Sequence, residues 1–295
     1  MVFNELEFAP WVEDRRDFTP VAMRGRLHLD LHEYHNPDVR RKNLGGRITG
    51  PHYRWTRRHI GSPRFTSRSV VNTPIGRLYA DEYGIEVPTE VRNAPPFVPG
   101  LEPSVVDPAD IRLLFHGLPS WSRGFKEILA ALRELPPRFS MTFMLTENPA
   151  VHAMLKDELA THPARERIRI VPPAPMREIA QTINEFDVEI VFYKPTGVNL
   201  RYAMPNKFFE AAQGRLALVV GETETMAPIV REYGHGAVAP DFTWQSLRDT
   251  LGLLDADEVR AMKRRSAVVA AEINAASEGR AFLASMGRST PEDSI

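Results

Sequence analysis

The sequence predicts an α/β protein of two domains, each built on a parallel β-sheet covered by helices. Three observations support this fold class. The 295 residues exceed a single typical domain, which has about 100–150 residues. From Ile111 onward, short apolar runs rich in branched residues alternate with stretches of helical period, as in βαβ units. A proline-rich stretch without periodicity, residues 94–110, separates this part from a sparser N-terminal pattern.

Six strand candidates define the second domain, which we predict over residues 111–254. They are short runs dominated by apolar residues, as expected for strands that helices cover on both faces. Helical stretches such as FKEILAALREL and NKFFEAAQG lie between them. The strand candidates begin at Ile111, Ser140, Arg167, Val188, Leu216 and Gly236. Residues 255–295 then read as C-terminal helices and a polar tail.

The first domain, residues 1–93, has only three or four strand candidates. RLHLDL, RFTSRSVV and TEVRN are strands, and a helix opens at Thr73, a capping residue followed by Pro74. A doubly wound domain usually has more strands, so we expect this domain to be incomplete at its N-terminus. Residues 94–110 would form a stiff, extended linker, because proline fixes φ and removes a hydrogen-bond donor.

The composition excludes several classes of protein. The formal net charge of −1 argues against a dedicated nucleic-acid binder. The chain has no cysteine, which excludes disulfide scaffolds, thiolate zinc sites and cysteine nucleophiles. No apolar run approaches the roughly 20 residues that span a bilayer, and acidic residues stand where a signal peptide carries bases. We therefore expect a cytoplasmic protein.

The most informative stretch is NLRYAMPNKFFEAAQGRLALVVG, residues 199–221. Pro205 starts a helix, Asn206 and Lys207 lie in its first turn, and Glu210 follows about one turn on. A helix N-terminus offers free N–H groups and partial positive charge to a phosphate, and Lys207 adds a full charge. The carboxylate of Glu210 suits a ribose diol. The alternative is an i,i+3 ion pair with Lys207, which contributes only about 0.2–0.5 kcal/mol.

This stretch resembles the PNK-x-x-E-x-x-x-x-G-x-P-V-V region of the retaining glycosyltransferases of the group 1 type, also called family four. LLFHGLPSWSRGFKEILAAL resembles their glycine loop, and EVRNAPPF resembles their interdomain segment. LHLDLHEYH and VVNTPIGRLYADEYG resemble consecutive parts of their acceptor domain. The segments follow in order through nearly the whole chain. The resemblance implies two Rossmann-like domains facing a cleft, the GT-B fold, with the donor on the second domain.

The resemblance also implies roles for single residues of a donor site. Glu210 takes the place of the second glutamate of an E-x7-E pattern, the ribose ligand. Tyr202 stands where the first glutamate would be, so Tyr202 or Asn199 would contact the donor sugar instead. Arg123 takes the place of the basic residue that stabilises the diphosphate, with an ordinary solvated arginine as the alternative. Gly117 would let the backbone approach the donor, or is a plain turn glycine.

His32 and Glu33 follow the strand RLHLDL, at the carboxyl end where open α/β sheets place ligands. The resemblance puts them at the cleft as catalytic residues. Together with His35 they also admit a metal site, although alternating strand positions point to opposite faces and the fold class needs no catalytic metal. Asp255 and Asp257 form a D-x-D pattern, but they stand at a helix start, where capping is the better interpretation.

A basic stretch without Asp or Glu runs from Arg40 to Arg68 and includes Tyr53 and Trp55. Arginines beside aromatic side chains suit an anionic membrane surface or a phosphate-bearing acceptor. A solvated helix face and nucleic-acid binding are the alternatives.

The sequence therefore predicts a metal-independent glycosyltransferase of polysaccharide biosynthesis that needs no cofactor. It would move a sugar from a nucleotide-diphosphate sugar to a glycan or lipid-linked acceptor, and the resemblance implies retention of configuration. Arg123, Lys207 and the helix N-terminus would stabilise the departing diphosphate electrostatically. Two alternatives remain: a non-catalytic nucleotide or partner binder left by truncation, and a sugar-nucleotide epimerase or phosphatase-like enzyme of the same fold.

Overall fold

The structure is a computed structural model that describes residues 2–4, 9–10, 27–34 and 44–287, apart from the side chains of residues 44–48 and 122. The chain forms two compact units. One comprises Met1–Arg92 and Ala276–Ile295, and the other comprises Asn93–Ala275. No helix among the described residues is long and apolar enough to cross a membrane.

The first unit contains a four-stranded parallel sheet with the order β1-β2-β3-β4. Its strands are β1 (Val2–Asn4), β2 (Leu27–Leu31), β3 (Phe65–Val70) and β4 (Thr89–Glu90). The helices among its described residues are α1 (Leu44–Arg58), α2 (Thr73–Tyr83) and the helix Ala275–Ser285. The three strands predicted in this part of the sequence are all present.

The cap of α2 corrects the sequence prediction by one residue. The N-cap is Asn72, whose Oδ1 accepts a hydrogen bond from the backbone N of Ile75 at 2.9 Å. Thr73 lies inside the helix, and its backbone N and hydroxyl both donate to Glu90 Oε2 at 2.7 Å. Asn and Thr are both good caps, so residue type alone could not decide between them.

The second unit contains six parallel strands, one for each predicted strand. They are β5 (Ile111–Gly117), β6 (Phe139–Leu145), β7 (Ile168–Val171), β8 (Val188–Val191), β9 (Ala217–Gly221) and β10 (Gly236–Ala239). The sheet order is β10-β9-β8-β5-β6-β7. Read from β7, this is the order 3-2-1-4-5-6 of a doubly wound Rossmann fold. The predicted α/β class is therefore confirmed.

Helices follow the strands of the second unit, and all but the four-residue helix Val198–Arg201 bury side chains. They are α3 (Phe125–Glu134), α4 (Pro149–Ala160), α5 (Ile179–Ile183), α6 (Val198–Arg201), α7 (Asn206–Gln213), α8 (Met226–Tyr233), α9 (Trp244–Gly252) and α10 (Ala256–Glu272), and α11 is the Ala275–Ser285 helix already described. Helix α10 opens with a capping box between Asp255 and Glu258. The capping interpretation of Asp255 is thus confirmed.

A buried charge pair joins α10 to the sheet. The amino group of Lys263 donates to Asp187 Oδ1 at 2.9 Å and to the Phe186 carbonyl at 2.7 Å. Asp187 also receives the guanidinium of Arg112, with Nε at 3.0 Å from Oδ2. Because both charges are buried and paired, this cluster fixes one helix of the second unit against β5 and β8.

Residues 94–110 lie along the second unit without helix or strand, apart from an isolated bridge between Asp107 and Asp110. Arg215 anchors them, since its guanidinium donates to the carbonyls of Leu101 at 3.0 Å and Val98 at 2.8 Å. Arg215 itself has a φ of 64°, a left-handed conformation that is uncommon outside glycine. The stretch is held to the unit by these hydrogen bonds from the Arg215 side chain to its backbone carbonyls.

Candidate functional site

The candidate site lies at the carboxyl edge of the second unit's sheet, where β5 and β8 run side by side. The crossovers leave these two strands in opposite directions, which makes this the topological switch point where doubly wound sheets bind ligands. The loops and helices that follow the two strands carry the predicted donor-site residues: Gly117, Arg123, Asn199, Tyr202, Asn206, Lys207 and Glu210. The predicted donor-site residues therefore lie in segments at one edge of one sheet.

Two glycines shape the loop after β5. Gly117 has a φ of 105°, and a Cβ there would lie 3.8 Å from Lys207 Cε. Gly124 has a φ of 88°, and a Cβ there would lie 2.3 Å from the carbonyl oxygen of Phe192. A side chain at Gly124 is excluded by both the conformation and the close approach. Arg123 is consequently held where the loop touches the segment after β8.

Arg123 keeps its positive charge available to a ligand. Its guanidinium carbon lies 5.2 Å from the centroid of the Tyr193 ring, and Nη1 lies 3.4 Å from the Tyr193 hydroxyl. Burial raises the pKa of Tyr193 to about 12, so this partner stays neutral near pH 7. Among the described residues no carboxylate forms an ion pair with Arg123. This is the arrangement expected of an anion-binding arginine.

Lys207 is placed differently from the prediction. The sequence suggested a full charge at the helix start, but the side chain is 4% exposed and packs inward. Its amino nitrogen lies 3.2 Å from the Phe115 ring centroid and 3.8 Å from Glu189 Oε1, with no hydrogen-bond partner. Burial lowers the pKa of Lys207 to about 7, although the charges of Glu189 and Glu210 oppose the shift. The amine is therefore only partly charged near neutral pH.

A buried histidine, which the sequence analysis did not single out, joins the two strands and α7. His116 Nδ1 lies 2.9 Å from Glu189 Oε2, and Nε2 lies 2.9 Å from Glu210 Oε2. Burial alone would lower the pKa of His116. The charge of Glu189 and the hydrogen bonds to both carboxylates outweigh burial and raise the pKa to about 9.

Glu210 sits in the second turn of α7 and remains partly open, with 15% of its side chain exposed. Its ion-pair partner is His116, whereas Lys207 pairs with Glu189. The i,i+3 pair weighed as an alternative to ribose binding is thus not the contact that Glu210 makes. A carboxylate held from behind by a buried cation can accept hydroxyl hydrogen bonds on its open side.

The other predicted donor residues surround the start of α7. Asn199 lies in α6 and is half-buried, and Asn206 is the exposed first residue of α7. Helix α7 begins after Pro205 without a side-chain cap, so its first-turn N–H groups depend on other acceptors. Tyr202 follows α6, with its ring 5.5 Å from the guanidinium carbon of Arg201.

His32, the first residue of the predicted catalytic pair, lies in a chain of polar groups in the first unit. His32 Nε2 lies 3.0 Å from Asp30 Oδ2 and 3.1 Å from Asn4 Oδ1, and Ser69 donates to the other oxygen of Asp30. Burial alone would raise the pKa of Asp30, but the hydrogen bonds from His32 and Ser69 outweigh it and lower the pKa. His32 is thereby oriented by a carboxylate, as general bases commonly are.

The side chain of Glu33 is exposed, and its backbone carbonyl accepts a hydrogen bond from the Tyr79 hydroxyl at 2.7 Å. His35 lies outside the described residues. Within the described part of the chain, no group of three or more His, Cys, Asp or Glu is arranged to hold a metal ion.

The basic stretch is not uniformly solvated. Arg57 is buried and pairs with Glu82 and the Tyr83 hydroxyl, and Arg68 donates to the carbonyls of Ile60 and Ser62. These two arginines are structural. Trp55 is 39% exposed and Arg58 ends α1 in solvent. Arg40, where the stretch begins, lies outside the described residues.

His116 and Glu189 are titratable residues in otherwise apolar runs, and this pattern could have identified them as candidates. Glu189 interrupts the apolar run VEIVFY, and His116 closes the apolar run IRLLFH. Charged residues in strands covered on both faces are almost never buried without partners. The two runs become neighbours only in the 3-2-1-4-5-6 sheet order, so the pairing follows once the topology is known.

No protein-family model matches this sequence, and no curated protein sequence matches it. Among solved structures, the α,α-trehalose 6-phosphate synthase of Burkholderia multivorans superposes with a TM-score of 0.66 at 12% identity, over 97% of this chain and 71% of its own. WaaG, a glycosyltransferase involved in lipopolysaccharide biosynthesis, gives 0.63 at 13% identity over 94% and 80%. HepE of Anabaena, crystallised with UDP and glucose, gives 0.63 at 12% identity over 88% and 72%. At these identities the likeness establishes the fold, and the predicted GT-B class of Rossmann-like domains is confirmed.

Proposed function

We propose that this chain is a glycosyltransferase that binds a nucleotide-diphosphate sugar on its second unit and transfers the sugar to an acceptor. One observation carries the proposal. At the switch point of a Rossmann sheet, the open carboxylate of Glu210 lies on the same edge as the guanidinium of Arg123 and the partly charged amine of Lys207. A carboxylate suits the ribose diol and the cations suit the diphosphate. The GT-B fold of known glycosyltransferases supports the same conclusion.

The donor's parts are assigned to residues as follows. Glu210 accepts hydrogen bonds from the ribose hydroxyls. Arg123, Lys207 and the uncapped first turn of α7 stabilise the negative charge that develops on the departing diphosphate. Asn199 and Tyr202 contact the sugar, and Gly117 lets the backbone approach it. Asn206 offers its amide at the start of α7.

The acceptor is assigned to the first unit. His32, oriented by Asp30, and Glu33 are the proposed catalytic residues there. The resemblance to the group 1 glycosyltransferases extends the proposal to a retaining, metal-independent enzyme with a glycan or lipid-linked acceptor of polysaccharide biosynthesis. A cytoplasmic enzyme whose Arg40 to Arg68 stretch meets an anionic membrane would reach a lipid-linked acceptor directly.

A panel of nucleotide-diphosphate sugars tests the proposal. Release of a nucleoside diphosphate that requires an added acceptor, and that continues in EDTA, is the expected result. The anomeric configuration of the product, read by NMR, tests retention. Binding of nucleoside diphosphates without turnover of any donor would favour the non-catalytic binder, and absence of binding would contradict the proposal altogether.

A further inference from the structure

The His116 imidazole bridges two carboxylates at distances of 2.9 Å on either side. Ionised carboxylates accept hydrogen bonds and cannot donate them. Both ring nitrogens of His116 therefore donate, one to Glu189 and one to Glu210. A neutral imidazole has a single N–H and would leave one contact without a proton, so with both carboxylates ionised this geometry requires an imidazolium.

Both carboxylate oxygens of Glu189 accept hydrogen bonds from His116. The Glu189 side chain is fully buried, and Oε1 accepts from the backbone N of His116 at 3.2 Å while Oε2 accepts from the ring. The other cation near Glu189 is Lys207, at 3.8 Å. Because Glu189 has no exposed atom to offer a ligand, any role in binding passes through His116 or Lys207.

The charged groups around His116 come from two elements besides its own. Glu189 belongs to β8, and Glu210 and Lys207 belong to α7. Arg123 and Tyr193 adjoin Lys207 from the loops after β5 and β8. Of these groups, only Glu189 and Glu210 contact the imidazole.

Glu210 differs from Glu189 because its carboxylate is fixed on one side only. Oε2 receives the imidazolium, whereas Oε1 has no hydrogen-bond partner among the described residues. A glutamate on a helix surface otherwise samples several rotamers, and ordering it on binding costs entropy. The buried cation removes that cost before a ligand arrives.

We propose that His116 and Glu189 are positioning residues: Glu189 orients the imidazolium, and His116 clamps Glu210 so that its open oxygen is presented to the hydroxyls of the donor ribose. This inference rests on the proposed function and identifies what fixes the ribose ligand. It also explains two charged residues within otherwise apolar strands, since a preorganised first contact needs such a support behind it.

A double-mutant cycle tests the coupling. UDP is titrated by calorimetry at pH 7.5 into the wild type, Glu189→Gln, Glu210→Gln and the double variant. We expect Glu210→Gln to weaken UDP binding about tenfold or more, and Glu189→Gln about three- to tenfold. In the Glu210→Gln background, Glu189→Gln should have no further effect, because the residue through which it acts is already disabled.

The double-mutant cycle distinguishes an effect of Glu189 through Glu210 from an effect through Lys207 or through packing. An equal effect of Glu189→Gln in both backgrounds would show that it acts through Lys207 or through general packing, and the positioning role would be overturned while nucleotide binding stands. If UDP does not bind the wild type, GDP and ADP replace it in turn. Failure of all three to bind the folded wild type overturns the proposed function, and this inference with it.

The protonation state of the His116 imidazole, measured by NMR, provides a second test if Glu189→Gln does not fold. The ring nitrogens of His116 in ¹⁵N-labelled wild type are assigned by NMR through its backbone resonances. We expect both nitrogens to be protonated at pH 7.5, and the second proton to be lost near pH 9. UDP should move the Nε2 proton, which faces Glu210, more than the Nδ1 proton. A singly protonated ring at pH 7.5 would overturn the clamp.

Discussion

The amino nitrogen of Lys207 lies 3.2 Å from the centre of the Phe115 ring and makes no hydrogen bond. The attraction between a cation and an aromatic face offsets part of the cost of burying the charge. It does not offset all of it, because burial still lowers the pKa of Lys207 to about 7. An incoming diphosphate would add negative charge near the amine and raise its pKa, so we expect nucleotide binding to take up a proton.

Replacing Lys207 by methionine should change how stability depends on pH. Its pKa is 10.5 in an unfolded chain and about 7 in the folded protein. Between these values the unfolded state binds more protons, so this lysine makes stability rise with pH. We expect Lys207→Met to be more stable than wild type at pH 7.5, with a difference that shrinks by about 1 kcal/mol per pH unit up to pH 9.5.

His116 acts in the opposite sense, and the measurement must allow for it. Its pKa is raised from 6.5 to about 9 in the folded protein. Its contribution to stability is complete below pH 6.5 and is lost as pH rises through 9. The two slopes oppose each other in the wild type, so urea denaturation of both proteins across the pH range is required. A difference that does not vary with pH would contradict the buried position of Lys207.

Gly124 should not tolerate a side chain. In Gly124→Ala the new Cβ would meet the Phe192 carbonyl at 2.3 Å, at a φ of 88°. We expect a loss of about 2 kcal/mol or more in the free energy of unfolding. The matched control is Gly252→Ala in α9, where a Cβ meets nothing within 4 Å and helix propensity favours alanine by about 1 kcal/mol. Equal effects of the two substitutions would refute the close approach.

The Lys263–Asp187 pair should matter for folding and not for the ligand. Lys263→Ala leaves Asp187 buried with Arg112 as its remaining cation. We expect a loss of about 3–5 kcal/mol in stability, measured by thermal melting. The affinity for UDP, titrated well below the melting temperature, should stay within about twofold of wild type. A large loss of affinity in the folded variant would extend the site to α10.

The basic stretch offers a test of membrane association. If the exposed Arg58 and Trp55 meet anionic lipid, the protein should co-sediment with phosphatidylserine vesicles and be released by salt. Arg58→Glu should weaken this binding, whereas Arg264→Glu, an exposed charge on α10, should not. Equal binding to neutral vesicles, or binding to neither, would favour the solvated helix face.

The sequence predicted the fold class and the edge of the sheet where the candidate residues gather, because both follow from local patterns. Apolar runs reveal strands, and residues after neighbouring parallel strands share an edge. It did not predict that the Lys207 side chain is buried, because a solvated lysine and a buried lysine in the first turn of a helix have the same sequence context. It also missed the pairing of His116 with Glu189. Their separation of 73 residues is bridged only by the strand order, which no local pattern contains.

The affinity of Glu210→Gln for a nucleoside diphosphate shows whether Glu210 belongs to the donor site. The substitution keeps the shape of the side chain and removes its charge. If Glu210 holds the ribose, affinity for UDP should fall by about 1.5–3 kcal/mol, the scale of a charged hydrogen bond. Glu134→Gln is the matched control, because Glu134 is an exposed acid paired with Arg248 at the end of α3, away from the loops that carry the candidate residues; it should leave affinity unchanged.

Calorimetric titration of UDP into the three proteins, wild type and the two variants, gives the answer once thermal melts show that all are folded. We predict that only Glu210→Gln loses affinity for UDP. Binding of UDP by folded Glu210→Gln as tightly as by wild type would contradict it, because the carboxylate that His116 holds would then have no part in the donor site.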